Sequence, residues 1–460
     1  MASPSYIRDI LAARAYHWLS HVGLGRPEVR AWALYDWANS AFFTTVVATI
    51  FPIYFSSVAA AHLPPAVATA RFATATTIAL TLIAIAAPIL CVVADYAAIK
   101  KKLLAVFLAL GVCGTAGMAF IQQGEWIFAA LLFVVADMGA AGSLIFYDAL
   151  LPHIASPEEL DRISTAGYAL GYLSGGLLLA LNLAWIQYPE FVGLADAAAA
   201  ARLSFLSVAA WWLVFSLPLF RHVPEPRRQR AENAQQGEPL LHVTLTRLGG
   251  TLKALRVYRQ AFIFLAAFLF YNDGISTIIR MATIYGTEIG IPQGALITAI
   301  LLVQFVGLPC SFLFGSLAER IGTKAAIFLA LAVYGAVSLV GYYMQTAWHF
   351  YILALLVGTV QGGSQALSRS LFASMLPPTR SAEFFAFFAV CEKIAGIFGP
   401  AIFAGTIMLT GSSRKALLII LVFFIVGGWL LARVDVAEGQ RIAREMSEGE
   451  EQPEPQPPAE

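Results

Sequence analysis

The sequence predicts an all-α polytopic membrane protein whose twelve transmembrane helices form two six-helix bundles. Composition, the spacing of apolar runs and the placement of basic residues predict it together. Of 460 residues, 59% are hydrophobic and only 12% are charged, and the mean hydropathy is +0.73. A soluble domain carries roughly 25% charged residues, so about half the charge that solvates an ordinary surface is present, and much of the surface faces lipid. A net charge of +1 gives no concentrated basic surface for nucleic acid.

A helix needs about 20 mostly apolar residues to cross the hydrocarbon core. Such runs lie near 32–58, 69–93, 103–122, 126–151, 167–187 and 203–220, and again near 259–285, 293–318, 325–345, 348–376, 383–409 and 415–434. These are spans 1 to 12 in chain order, six on each side of a polar break. With the N-terminus in the cytoplasm, 22 of the 29 Lys and Arg residues fall on the cytoplasmic side and only Arg71, Arg202, Arg414 and Lys415 on the other. The positive-inside rule then supports both the helix count and cytoplasmic placement of both termini.

The chain divides accordingly into five parts. Residues 1–31 lack the continuous apolar core of a cleavable signal, and Ile7, Ile10, Leu11 and Tyr16 share a face suited to the membrane surface. Residues 32–220 and 259–434 are the two bundles, and 221–258 are a cytoplasmic linker with Leu241, Leu245, Leu248, Leu252 and Leu255 on one helical face. Residues 435–460 end acidic and proline-rich, and a disordered cytoplasmic tail is expected.

The two bundles repeat each other. Asp95 before Lys100 to Lys102 matches Glu319 before Lys324, and Leu151-Pro152 matches Leu376-Pro377, at offsets of 224 and 225 residues. Two parallel repeats around a long central loop are the plan of a transporter that rocks about a central site.

Charges at bilayer depth cost roughly 2.5–3.5 kcal/mol each on insertion scales and need a partner or water. Asp137, Asp273, Glu392 and Lys393 lie near mid-span, Asp36, Asp148 and Arg369 toward the cytoplasm, and Arg280 toward the outside. Helical spacing gathers them into stripes. Span 10 aligns Gln361, Ser364, Gln365, Ser368 and Arg369; span 7 aligns Asp273, Thr277 and Arg280; span 1 aligns Asp36, Asn39, Ser40 and Phe43; span 4 aligns Asp137 and Asp148. Four polar stripes predict a wet pathway. Asp273 and Arg280 are two turns apart, so a structural charge pair and contact with cargo or proton both remain open. Asp36 fits either a gate or cargo contact, and Asp137 and Asp148 are either protonation sites or neutral polar groups. Gly167, Gly171 and Gly175 fit close helix packing or a hinge.

Several of these residues lie in motifs. The run Gly315-Ser316-Leu317-Ala318-Glu319-Arg320-Ile321-Gly322-Thr323-Lys324 resembles the major facilitator loop signature, Gly-x-x-x-Asp/Glu-Arg-x-Gly-x-Lys/Arg. That resemblance implies the major facilitator fold and a cytoplasmic gate built from Asp95, Gly315, Glu319, Arg320, Gly322 and Lys324. The N-terminal copy keeps Asp95 but has Cys91 where Gly is usual. Further runs resemble the vacuole-effluxer-like family, which is named for fungal autophagy-linked amino-acid effluxers. They are Tyr35 to Phe42, Gly167 to Tyr172, Tyr271-Asn272-Asp273-Gly274 with Ile278 to Met281, Gln361 to Ser370, and Arg380 to Phe385. The resemblance spans about residues 31–435 and implies spans 1, 4, 7 and 10 around a central cavity in a bacterial inner membrane.

The expected activity is secondary active transport of a small polar solute such as an amino acid, with protons as the candidate coupling ion and the protein acting as a monomer. Asp36, Asn39, Asp137, Asp148, Tyr271, Asn272, Asp273, Arg280, Gln361, Gln365, Arg369 and Lys393 are the candidate pathway residues. Export of amphipathic or lipid-like compounds and a sensor or scaffold role are the alternatives. No ATP-binding loop, metal-ligand cluster or nucleophile elbow is readable, so no enzyme activity, cofactor or metal is expected. Cys91, Cys113, Cys310 and Cys391 read as small buried hydrophobes.

Overall fold

The computed structural model describes residues 24–97, 99–155, 160–225, 258–376 and 381–450. The amphipathic segment expected within 1–31 and the leucine face expected within 241–255 lie outside the described residues, as do residues 451–460. The described chain is helical throughout, with no strand among the described residues.

Six long helices make the first half: α1 (27–59), α2 (Pro65–Ala97), α3 (Lys100–Gly117), α4 (Trp126–Asp148), α5 (Leu160–Gln187) and α6 (Ala197–His222). Six make the second: α7 (Arg259–Glu288), α8 (Gln293–Ile321), α9 (Thr323–Tyr342), α10 (Ala347–Ser374), α11 (Ser381–Thr410) and α12 (Ser413–Ala432). Eleven of these are long and apolar enough to cross a membrane, and α11, with its apolar stretch Gly396–Thr410, completes the twelve. Alternation of the helices puts both described ends of the chain, residues 225 and 258 at the two ends of the linker, and the turn at Gly322 on one face. We call it the linker face and the other the opposite face.

The halves are built alike. In each, the first helix packs on the fifth and sixth, the fourth on the second and third, and the third on the sixth. A matching detail closes each bundle at the linker face. Lys101 Nζ donates to the carbonyls of Phe220, at 3.0 Å, and Val223, at 2.5 Å, at the end of α6. Lys324 Nζ does the same to Ala432, at 3.0 Å, and Val434, at 2.7 Å, at the end of α12. Each lysine so satisfies carbonyls that a helix C-terminus leaves without an intrahelical partner. The halves meet along α2–α11, α5–α8 and α1–α7. Large apolar side chains such as Leu110, Leu131, Leu213, Leu329 and Ile425 remain exposed on the outer helices, where lipid covers them.

Two expected boundaries move. The signature run is not a loop: α8 continues through Ile321 and α9 begins at Thr323, with a single-residue break at Gly322, whose φ of +88° suits glycine. Within the tail expected to be disordered over 435–460, Val436–Glu450 instead form α13. Asp435 accepts the Glu438 N–H at 3.0 Å as a cap, and Arg441 pairs with Glu438 and Glu445 at 2.8 and 2.7 Å, one turn to either side. Buried Gly439 brings α13 against Met375 and Gln260. Composition is acidic there, but helix capping and apolar docking override it.

Candidate functional site

Of the eleven helices long and apolar enough to span, α1 is the most enclosed, and its sequence explains how it is held. Residues 42–50 and 55–59 form wide π turns, which recur at functional positions. Pro52 has no N–H to offer the carbonyls one turn back. Ala48 O, within that stretch, accepts Thr283 Oγ1 of α7 at 2.8 Å, across the boundary between the halves. Trp32 stacks on Tyr147 of α4 at 4.4 Å and donates its Nε1–H to Tyr147 O at 3.1 Å, and the Tyr35 ring lies tilted against Tyr147 at 4.9 Å.

The α5 glycine stripe packs on α1. A Cβ at Gly167 would meet Asp36 Oδ2 at 2.6 Å, one at Gly175 would meet Thr44 Oγ1 at 2.5 Å, and one at Gly171 would collide with Ser40. Asp36, Ser40 and Thr44 are themselves spaced by four, so two i, i+4, i+8 rows interlock. This is the close-packing reading of that stripe.

The central polar contact joins the halves. Arg280 Nη1 of α7 lies 3.0 Å from Asp137 Oδ2 of α4, with the Asp137 side chain 0% and that of Arg280 13% exposed. Asp137 is eleven residues from the start of α4 and Arg280 eight from the end of α7, or about 16 and 12 Å at 1.5 Å per residue. Both therefore sit deep in a hydrocarbon layer about 30 Å thick. Asp137 Oδ1 has no hydrogen-bond partner among the described residues. Arg280 thus pairs across the halves with Asp137, not along its own helix with Asp273.

Asp273 is committed elsewhere. Its Oδ1 accepts the Gly399 N–H of α11 at 3.0 Å, and it is 1% exposed. A Cβ at Gly399 would clash with Thr277 Oγ1, so glycine there lets α11 close onto α7. Asp273 Oδ2 is buried with no partner among the described residues. Buried Tyr271 bonds Ser368 of α10, at 2.6 Å between the hydroxyls, and Asn272 is buried beside it. Asn39 is buried with neither side-chain polar atom partnered among the described residues.

Toward the linker face, Arg369 Nη2 donates to Tyr168 Oη across the halves at 2.9 Å and also lies over that ring at 5.3 Å. Asp148 is exposed at the end of α4, and Asp36 lies under Gly167. Gln361 and Gln365 are half-buried on α10. Of the gate set, Arg320 is exposed at the end of α8, Gly322 is the turn, and Lys324 caps α12. Gly315 lies on α8, and Asp95, Glu319 and Lys393 lie on α2, α8 and α11 with side chains outside the described residues.

Two cavities bear on the pathway expectation. One lies at the linker face between α9, α10, α12 and α13, lined by Lys324, Ser370, Ser374 and Gln440. The other is an apolar space mostly within the second half, lined by Ile278, Val303, Phe350, Leu353 and Leu417 and by Ala48 of α1, with Gln304 and Gln361 among its polar groups. Of the α10 stripe, Gln361 therefore reaches a cavity, Ser368 ties α7, and Arg369 bridges the halves.

Sequence reasoning missed three of the residues that join the halves. Thr283 continues the α7 face of Arg280 by three residues, a signal that was present. Glu288 and Thr69 lie at helix ends facing the opposite side, where polar residues ordinarily meet water. Glu288 Oε2 nonetheless accepts Thr69 Oγ1 of α2 at 2.7 Å and Ser413 Oγ of α12 at 2.5 Å.

Residues 25–444 match the family described as vacuole effluxer Atg22 like. An uncharacterized MFS-type transporter of Bacillus subtilis, YxiO, is 36% identical over 420 residues, covering 91% of this chain and 97% of that one. Autophagy-related protein 22 of Coccidioides immitis is 22% identical over 429 residues, covering 77% of this chain and 70% of that protein. Among solved structures, a D-xylose-proton symporter aligns with a TM-score of 0.63 at 13% identity, over 90% of this chain and 98% of the symporter. A bacterial homolog of the human lysosomal transporter Spinster, inward-facing and unoccupied, aligns at 0.56 and 14%, over 93% and 98%. At such identities the structural likeness speaks to fold.

Proposed function

The chain belongs to the vacuole effluxer Atg22-like family of MFS-type transporters, and from that premise we propose that it is a secondary active transporter of a small polar solute, coupled to protons, working by alternating access. The observation that carries the reading is the Asp137–Arg280 pair. It is deep in the membrane, it joins the halves, and one carboxylate oxygen has no partner among the described residues. Holding two charges there costs desolvation energy that their attraction only partly offsets. A transporter gains from such a pair because it can be exchanged. A cargo carboxylate competes for Arg280, and a cargo ammonium or a proton competes for Asp137. Either event removes a tie that keeps the halves together at that depth. Arg369 and Tyr168 offer a second tie, nearer the linker face.

In this reading the linker face is cytoplasmic, the membrane is a bacterial inner membrane, and the protein works as a monomer. The test is reconstitution in proteoliposomes with a screen of amino acids and other small polar solutes. Asp137→Asn is expected to abolish uptake driven by a pH gradient while preserving exchange of labelled for unlabelled cargo. Gradient-driven uptake that survives Asp137→Asn would overturn the coupling role.

A second reading, export of amphipathic compounds, draws on the apolar cavity lined by α7, α8, α9, α10 and α12 with Ala48 of α1. Thermal stabilisation by hydrophobic cations and not by any amino acid would favour it.

A further inference from the structure

Three polar contacts run along the outer part of α7, and each crosses to a different helix of the first half. Arg280 reaches Asp137 of α4 at 3.0 Å, Thr283 reaches Ala48 O of α1 at 2.8 Å, and Glu288 reaches Thr69 of α2 at 2.7 Å. Glu288 is the last residue of α7 and the outermost of the three. A carboxylate at the C-terminus of its own helix opposes that helix's dipole, so its position calls for compensation. Two neighbouring helix starts supply it. Ser413 is the first residue of α12, and Thr69 lies in the opening turns of α2, which begins at Pro65. Both hydroxyls converge on one oxygen, and both side chains are buried, at 1% and 0% exposure.

We infer that Glu288 is a positioning residue that latches the opposite face shut, by holding α2 of the first half against α7 and α12 of the second. The two hydroxyls have different duties. Ser413 belongs to the same half as Glu288 and orients the carboxylate. Thr69 belongs to the other half, and its bond must break whenever the opposite face opens. A hydrogen bond to a charged group is among the stronger single contacts in a protein, so this one biases the equilibrium toward the closed arrangement. The inference rests on the alternating-access reading but does not depend on which solute is moved.

The test reads opening directly. Ala48→Cys, in a chain whose four native cysteines are replaced, puts a thiol on α1 at a position now 6% exposed. Labelling by a membrane-impermeant maleimide is followed from the opposite face in vesicles of defined orientation, without cargo. Thr69→Val is expected to raise the labelling rate roughly tenfold, Thr69→Ser to restore the parent rate, and Ser413→Ala to raise it less than Thr69→Val. Glu288→Gln should match or exceed Thr69→Val; if it does not reach the membrane, the threonine variants decide. Equal rates for Thr69→Val and the parent would overturn the latch. So would an effect of Ser413→Ala as large as that of Thr69→Val, because the contact would then act within one half. The outcome is separable from the transport reading: proteoliposomes that move no solute would sink transport and leave the labelling difference intact.

Discussion

Removing one charge of the Asp137–Arg280 pair should cost unequally, depending on which is removed. Arg280→Met leaves Asp137 with 0% exposure and no cationic partner. Breaking a buried pair this way costs about 3–5 kcal/mol. Asp137→Asn leaves Arg280, which is 13% exposed and carries a long stem able to lead its guanidinium toward water. Its cost should be nearer that of one lost charged hydrogen bond, about 1.5–3 kcal/mol. The double variant removes both charges, so its cost should fall short of the sum of the singles by about 1.5 kcal/mol or more. Unfolding by SDS titrated into detergent micelles measures all three variants on one scale. Equal costs for the two singles would refute the argument from unequal burial, and a double that equals their sum would refute the claim that these groups are energetically a pair.

Two further changes test packing. Gly171→Ala places a methyl group on Ser40 Oγ, where overpacking costs about 1–3 kcal/mol, and combining it with Ser40→Ala should recover most of the loss in thermal stability. Lys101→Met and Lys324→Met each free two carbonyls at a helix end, so each should cost about 1 kcal/mol. The costs should agree closely, because the two lysines hold equivalent places in the repeat, and a large difference in melting temperature between them would contradict that equivalence.

The fold was legible because the bilayer imposes strong rules. Each span must be long and apolar, and loop charge must alternate, so counting and polarity recover twelve helices without any packing argument. The repeat was legible for a similar reason. Lys101 and Lys324 do the same job in two bundles, and their neighbourhoods keep a common pattern. Where expectation failed, local chemistry outweighed composition. Residues 436–450 look acidic and unstructured, yet Asp435 caps them and Arg441 neutralises Glu438 and Glu445. The Arg441 hydrogen bond holds the Glu438 carboxyl below the usual carboxylate range, so the helix keeps that support above this range and loses it as the pH falls through the lowered value.

The site was only half legible, and the reason is geometric. A period of 3.6 residues tells which side chains share a face, but not which helix that face meets. Asp273 and Arg280 do lie on one helix two turns apart, and the spacing offered them as partners. The fold instead turns Asp273 to the Gly399 N–H within its own half and Arg280 to Asp137 in the other. That division separates two kinds of buried polar contact. Bonds within a half, such as Asp273 to Gly399 and Tyr271 to Ser368, can persist while the halves move as rigid bodies. In the alternating access proposed above, bonds between halves, such as Arg280 to Asp137, Thr283 to Ala48 and Glu288 to Thr69, are the ones that would break and re-form. Depth in the membrane and polarity made Asp137, Tyr271, Asp273 and Arg280 candidates from sequence, but not Thr283, Glu288 or Thr69. In that proposal only the second kind would couple a bound solute or proton to opening, and membership of that set is fixed by which half each partner belongs to.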